Sequence, residues 1–130
     1  MILDTCFIID VMDGDTTAIK KLREMENKSL PQIITSPTIF EIYSGLEASI
    51  KKDEEKGKIK GTLSKMTLLS FDTNAAEISG HIDGKLVKSG QTIGPVDSMI
   101  AGIAISRNEK LLTRNIKHFS RIAELKTESY

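Results

Sequence analysis

The chain has 130 residues, of which 39% are hydrophobic and 28% charged, a balance typical of an ordinary globular domain. Its 18 basic and 18 acidic side chains cancel, so any nucleic-acid binding must come from a local patch and not from bulk charge. The single cysteine excludes an intrachain disulfide and a cysteine-rich zinc site. The N-terminus has no signal-peptide pattern, and no apolar run is long enough to span a membrane. We therefore expect one domain, residues 1–130, in a reducing, cytoplasmic compartment.

The first ten residues, MILDTCFIID, combine a short apolar run with an acid. Met1–Leu3 is predicted to be a buried strand that delivers Asp4 to its C-terminal end, and Thr5 is predicted to start a helix. In open α/β sheets, sites form outside the C-terminal ends of the strands. Asp4 is therefore the first candidate for a functional group.

Helical and strand patterns alternate after this point. Residues 16–28 have the spacing of an amphipathic helix, and the β-branched run Gln32–Thr35 predicts a strand. Pro37 suits the first turn of the next helix, with Ser36 as its cap. On that helix Glu41 points nearly opposite the apolar stripe, on a face of otherwise small residues.

A charged segment divides the chain near its middle. Residues 47–66 predict a helical excursion with an exposed face, and not a domain boundary. A third strand is predicted over Thr67–Asp72. Asp72 or Thr73 then caps a helix that ends near Gly90.

The last third contains the most apolar predicted helix. Residues 97–107 are apolar all round, which predicts burial on most sides. A fourth strand over Lys110–Thr113, a turn at Arg114–Asn115, a short segment around His118–Phe119 and an edge strand within Ala123–Glu128 follow. The alternation predicts an α/β fold with a mainly parallel sheet of four to five strands flanked by helices.

Several oxygen-bearing side chains are predicted to meet at one edge of this sheet. Asp4 and Asn115 follow strands, Asp97 opens the apolar helix, and Glu41 lies on a helix nearby. Such ligands suit Mg²⁺ or Mn²⁺, which can activate a bound water and stabilise phosphoryl transfer. Each residue also has a local alternative: Asp4 and Asp97 as helix caps or first-turn acids, Glu41 as a solvated acid, and Asn115 as a turn residue.

Four motifs carry a family resemblance: DTCFIID at the N-terminus, TIFEIYSGL near residue 40, IGPVDSMIAGIAI near residue 97 and LLTRNIKHF near residue 115. In this order, and over essentially the whole chain, the sequence resembles the PIN-domain family and its VapC-type toxins of VapBC toxin–antitoxin pairs. The resemblance implies a single PIN-like domain and a Mg²⁺- or Mn²⁺-dependent toxin ribonuclease. The family's acidic pocket maps onto Asp4, Glu41 and Asp97.

Two family positions differ in this chain. The fourth acidic position is often Asp and falls on Asn115, which weakens a second metal position and leaves a one-metal mechanism open. The polar residue after the first acid is Thr5, which would position a water or an acid. Cys6 replaces a frequent Ser or Asn, and no histidine is predicted beside it, so we do not expect a thiol nucleophile.

The implied mechanism is hydrolysis of an RNA phosphodiester by a metal-activated water, with Asn115 orienting a ligand water. Arg114, Lys117 and Arg121 are the candidates for contact with substrate phosphate. His118 is interpreted as a packing or turn residue. The resemblance also implies a cognate VapB-like antitoxin and a homodimer, and no membrane.

Three other interpretations remain open from the sequence. One is a housekeeping RNA-processing nuclease with the same pocket. Another is a catalytically silent module that binds RNA or protein, which Asn115 favours. The last is a phosphoacceptor regulatory domain, for which Asp72 is a weak candidate because it has the sequence context of a helix cap.

Overall fold

A computed structural model describes all residues, 1–130. Five short strands form one sheet, and they are β1 (Ile2–Leu3), β2 (Ile33–Thr35), β3 (Thr67–Leu69), β4 (Leu111–Leu112) and β5 (Thr127–Glu128). Their order across the sheet is β3-β2-β1-β4-β5, and every neighbouring pair is parallel. The predicted α/β class and parallel sheet are confirmed, with five strands.

Seven helices connect and cover the strands. They are α1 (Thr5–Met12), α2 (Thr16–Asn27), α3 (Ser36–Leu46), α4 (Lys52–Leu63), α5 (Thr73–Lys88), α6 (Pro95–Ser106) and α7 (Ile116–Phe119). None of them is both long and apolar enough to cross a membrane.

The central strands β1 and β4 are apolar at every position, and β2 at every position but Thr35, because both faces of the sheet are covered. Ile2 packs into a core built with α5, α6 and α7, whereas Leu3 packs into a second core built with α1 to α4. Ile33 and Ile34 divide between the two cores in the same way. This follows from the alternation of side chains along a strand. Because both faces are buried, the sequences of these strands are nearly continuous apolar runs and do not alternate between apolar and polar residues.

The edges of the sheet differ from the predicted bounds. β3 ends at Leu69 and not at Asp72, because the backbone N–H of Phe71 leaves the ladder and donates to the Ser36 hydroxyl at 3.0 Å. β5 is an edge strand as predicted, but it is limited to Thr127–Glu128. The residues before it form turns.

The start of α3 corrects a predicted cap. Thr35 and not Ser36 is the N-cap, since its Oγ1 accepts from the backbone N–H of Thr38 at 3.3 Å. Ser36 is the first helical residue, with Pro37 behind it. The serine hydroxyl is instead used by Phe71, which ties the start of α3 to the end of β3.

Helix α6 is buried along most of its length, as predicted. A close approach to α5 explains why Gly102 lies in it: a Cβ at this position would stand 1.9 Å from the Ser79 hydroxyl oxygen and 2.8 Å from the Ala75 carbonyl oxygen. α6 begins at Pro95 after Gly94, which has a φ of 96°. Helix α6 therefore begins two residues before the predicted position, and Asp97 is its third residue and not its cap.

Candidate active site

The Asp4 carboxylate lies at the carboxyl end of β1 and is 3% exposed. Its Oδ1 accepts from the Thr5 backbone N–H at 2.8 Å, so Asp4 is the N-cap of α1 as the local alternative proposed. Its Oδ2 accepts from the Thr113 hydroxyl at 2.6 Å and from the Cys6 thiol at 3.1 Å. Donors on α1 and at Thr113, directly after β4, therefore fix the orientation of both oxygens.

Cys6 acts as a hydrogen-bond donor in this arrangement. Burial and the neighbouring negative charge of Asp4 raise the pKa of the Cys6 thiol. The thiol therefore stays protonated at neutral pH, in agreement with the expectation that it is no nucleophile.

Glu41 joins the site from the second turn of α3. Its Oε1 accepts a hydrogen bond from the Thr5 hydroxyl at 2.6 Å, across 36 residues of sequence. Glu41 is partly exposed, and its carboxylate is engaged by Thr5 rather than surrounded by solvent alone. The Thr5 hydroxyl therefore contacts an acid of the predicted site.

Asp97 faces the same volume from the first turn of α6. Burial, followed by the negative charges of Asp4 and Glu41, raises its pKa from 3.8 to about 6. The His118 ring opposes this rise, with Nδ1 at 3.7 Å from Asp97 Oδ2. The interpretation of His118 as only a packing or turn residue is wrong, because its ring is 47% exposed and directed at this carboxylate.

Asn115 lies at the same edge with a different set of contacts. It is exposed, and its backbone N–H donates to the Thr113 hydroxyl oxygen at 2.9 Å. Its side-chain amide makes no hydrogen bond and does not cap α7. Its φ of −83° lies outside the left-handed region, so the turn does not depend on the tolerance of Asn for that region.

Two of the three predicted phosphate-binding cations are held by the protein itself. Arg114 Nη1 donates to both Asp10 carboxylate oxygens, at 2.7 and 2.6 Å. Arg121 Nη1 donates to the carbonyl oxygens of Gln91 and Thr92, at 3.2 and 3.1 Å. Lys117 is exposed and forms no ion pair.

A divalent cation fits the chemistry of this site although no three of its His, Cys, Asp or Glu side chains are arranged to hold an ion directly. All three acids offer oxygen donors, and the pKa of Asp97 is raised first by burial and then by repulsion from the negative charges of Asp4 and Glu41. A bound cation would relieve that repulsion. Mg²⁺ in particular keeps several waters and needs only one or two carboxylates in direct contact.

Several residues of this site were not predicted. Thr113 follows β4 as Asp4 follows β1, so its position at a strand end was the available signal. Asp10 is nearly buried, and its carboxylate also accepts from the Tyr130 hydroxyl at 2.6 Å. No local pattern marks that pair, because 120 residues separate its members.

The chain is similar to known proteins over most of its length. A model of the PIN domain matches residues 1–125. The chain is 34% identical over 110 residues to the tRNA(fMet)-specific endonuclease VapC of Salmonella typhimurium, an alignment that covers 84% of this chain and 83% of that protein. It is 30% identical over 128 residues to the protein of the same name from Shigella flexneri, covering 98% and 96%.

Solved structures of VapBC complexes have the same fold as this chain. VapBC2 from Rickettsia felis, bound to a DNA fragment from its promoter, superposes with a TM-score of 0.90 at 28% identity, over 99% of this chain and 97% of that one. DNA-bound VapBC from Salmonella typhimurium superposes with a TM-score of 0.87 at 33% identity, over 98% and 96%. The resemblance found in the sequence motifs is confirmed, and the chain belongs to the PIN domain family.

Proposed function

We propose that this protein is a metal-dependent endoribonuclease and the toxin component of a type II toxin–antitoxin pair. The observation that carries the proposal is that Asp4, Glu41 and Asp97 lie at the carboxyl edge of the sheet, where burial, followed by the negative charges of Asp4 and Glu41, raises the pKa of Asp97. Family membership supports it, and the VapC relatives above are named as endonucleases.

Asp4, Glu41 and Asp97 would hold a Mg²⁺ or Mn²⁺ ion, partly through water. When bound, such an ion supplies an activated water and stabilises the charge that develops on a phosphodiester. The chain's own groups prepare this site. Thr113 and the Thr5 backbone N–H hold the Asp4 carboxylate, and the Thr5 hydroxyl holds Glu41.

Three further side chains, His118, Asn115 and Lys117, have contacts or positions suited to binding the substrate or tuning the acids. The His118 imidazole lies beside Asp97, and in its protonated form it favours the ionised carboxylate. The Asn115 amide is free to orient a water or an RNA oxygen. Lys117 is the predicted cation that remains free to contact a substrate phosphate, whereas Arg114 and Arg121 are engaged within the protein.

The partners follow from the same comparisons. Since the superposed structures are VapBC complexes, we propose a VapB-like antitoxin for this chain, and a cytoplasmic site of action where RNA is available. A homodimer is also proposed, with the exposed Phe40 of α3 and Ile50 as apolar surface for it. Copurification with the product of an adjacent small gene, followed by light scattering, tests both partners.

Cleavage of total cellular RNA by the purified protein tests the nuclease itself. We expect cutting with Mg²⁺ or Mn²⁺, none with EDTA, and none by Asp4→Asn, which keeps the helix cap because Asn caps as well as Asp. Asp53→Asn, an exposed first-turn acid of α4, is the matched control and should cut like the wild type. A folded wild-type protein that cuts no RNA with any metal would refute the proposal and favour a silent binding module.

A further inference from the structure

The Asp10 carboxylate has a set of contacts that the proposed mechanism does not use. Asp10 lies on α1, six residues beyond Asp4, and its side chain is 12% exposed. Arg114 donates to both of its oxygens, and the Tyr130 hydroxyl donates to Oδ2 at 2.6 Å. The carboxylate therefore joins α1, the turn after β4, and Tyr130, two residues beyond β5.

Tyr130 is held in place by more than one contact. Its ring meets the buried Phe7 ring edge-on, with centroids 4.7 Å apart at 77°. Its hydroxyl also lies 3.7 Å from the Cys6 sulfur, and burial raises the pKa of its phenol, so the hydroxyl keeps its proton. Tyr130 is thus a fixed donor to Asp10.

The contacts of Asp10 connect to Asp4 by two routes. Arg114 stands between Thr113 and Asn115, and the Thr113 hydroxyl is the donor at 2.6 Å to Asp4 Oδ2. Cys6 provides the other route, since its thiol contacts both Asp4 Oδ2 and the Tyr130 hydroxyl. Anchoring Arg114 therefore anchors the turn that orients the Asp4 carboxylate.

We propose that Asp10, Arg114 and Tyr130 are positioning residues that hold the turn at residues 113–115 against α1 and so set the orientation of the Asp4 carboxylate. This inference rests on the proposed nuclease function. It assigns to Arg114 a role within the protein in place of the predicted phosphate contact. Residues that contact a metal ligand directly change activity by about 10–100-fold when they are replaced, and these three act one contact further out, through Thr113 and Cys6.

Two mild variants test the proposal, each with a matched control. Tyr130→Phe removes only the hydroxyl, and Tyr43→Phe is its control in a chain with two tyrosines. Arg114→Gln removes the bidentate pair, and Arg107→Gln, which breaks the exposed pair with Asp72, is its control. We expect kcat on RNA to fall about tenfold in Tyr130→Phe and Arg114→Gln, with an unchanged KM, because neither side chain touches the substrate.

Two results would overturn the proposal. Cleavage by both variants equal to that of their controls would show that the turn needs no anchor. A raised KM with unchanged kcat in Arg114→Gln would show that Arg114 binds RNA.

The single cysteine gives a readout that needs neither metal nor activity. Cys6 is half-buried beneath the turn, and we expect maleimide to label it faster in Arg114→Gln than in the wild type or Arg107→Gln, since a loosened turn exposes the thiol. Equal labelling rates would overturn the inference even if the wild-type protein cut no RNA. Failure of the proposed function is therefore distinguishable from failure of this inference.

Discussion

Replacing Asp97 by Asn should remove RNA cleavage and at the same time stabilise the metal-free protein. The pKa of Asp97 rises from 3.8 to about 6 because of burial and the charges of Asp4 and Glu41. One pKa unit is about 1.4 kcal/mol, so the ionised carboxylate lowers the free energy of unfolding by up to about 3 kcal/mol. The side chain is 21% exposed, and with solvent screening we expect a gain of about 1–2 kcal/mol in Asp97→Asn.

The sign of the pH dependence follows from the raised pKa. Between pH 3.8 and about 6 the folded protein keeps a proton on Asp97 that the unfolded chain has lost. The free energy of unfolding therefore falls as the pH rises through this window, and the full loss persists above it. At pH 4.5 the advantage of Asp97→Asn should be about a third of its value at pH 7.5.

Urea unfolding in EDTA at pH 7.5 and pH 4.5 measures this difference. Glu77→Gln, an exposed acid of α5, is the control and should change stability little at either pH. Two results would refute the reasoning that burial and the charges of Asp4 and Glu41 raise this pKa. One is an Asp97→Asn protein that is less stable than the wild type. The other is a gain in stability that is the same at pH 4.5 and pH 7.5.

Three further predictions follow from individual contacts. Gly102→Ala should lower the free energy of unfolding by about 1–3 kcal/mol in a urea titration, because its Cβ overlaps with α5, whereas Gly80→Ala, which meets open space, should be neutral or stabilising. Thr113→Val should weaken RNA cleavage about tenfold and lower the free energy of unfolding by about 1–3 kcal/mol, since it removes the donor to the buried Asp4 carboxylate and the acceptor for the Asn115 backbone N–H; equal cleavage would contradict the role of the hydrogen bond to Asp4. Asn115→Asp should strengthen Mn²⁺ binding in a calorimetric titration by adding a fourth carboxylate at this edge, and weaker binding would argue that residue 115 lies outside the cation site.

The sequence predicted the parts of the fold that depend on local patterns. Apolar runs marked β1, β2 and β4, and the position of Asp4 after such a run indicated the edge of the sheet where the acids meet. The cap of α3 was misplaced by one residue, because Thr35 and Ser36 are both good caps and only the distant Phe71 decides between them.

The long-range polar contacts could not be predicted in the same way. The Arg114 side chain was expected to bind phosphate, because it is a cation adjacent to Asn115 at the predicted acidic pocket. The structure brings Asp10 to it from 104 residues away. His118 was misjudged for the same reason, because its partner Asp97 lies on another helix. Local spacing fixes which side chains reach the sheet edge, while their partners depend on how the helices pack.

Calorimetric titration of the wild-type protein with Mn²⁺, beside Asp4→Asn, Glu41→Gln and Asp97→Asn, tests the central claim most directly. The account predicts one bound ion per chain and an affinity at least about tenfold weaker in each variant, because all three carboxylates serve one cation site. Wild-type protein that binds no Mn²⁺, or binding that survives unchanged in all three variants, would contradict it.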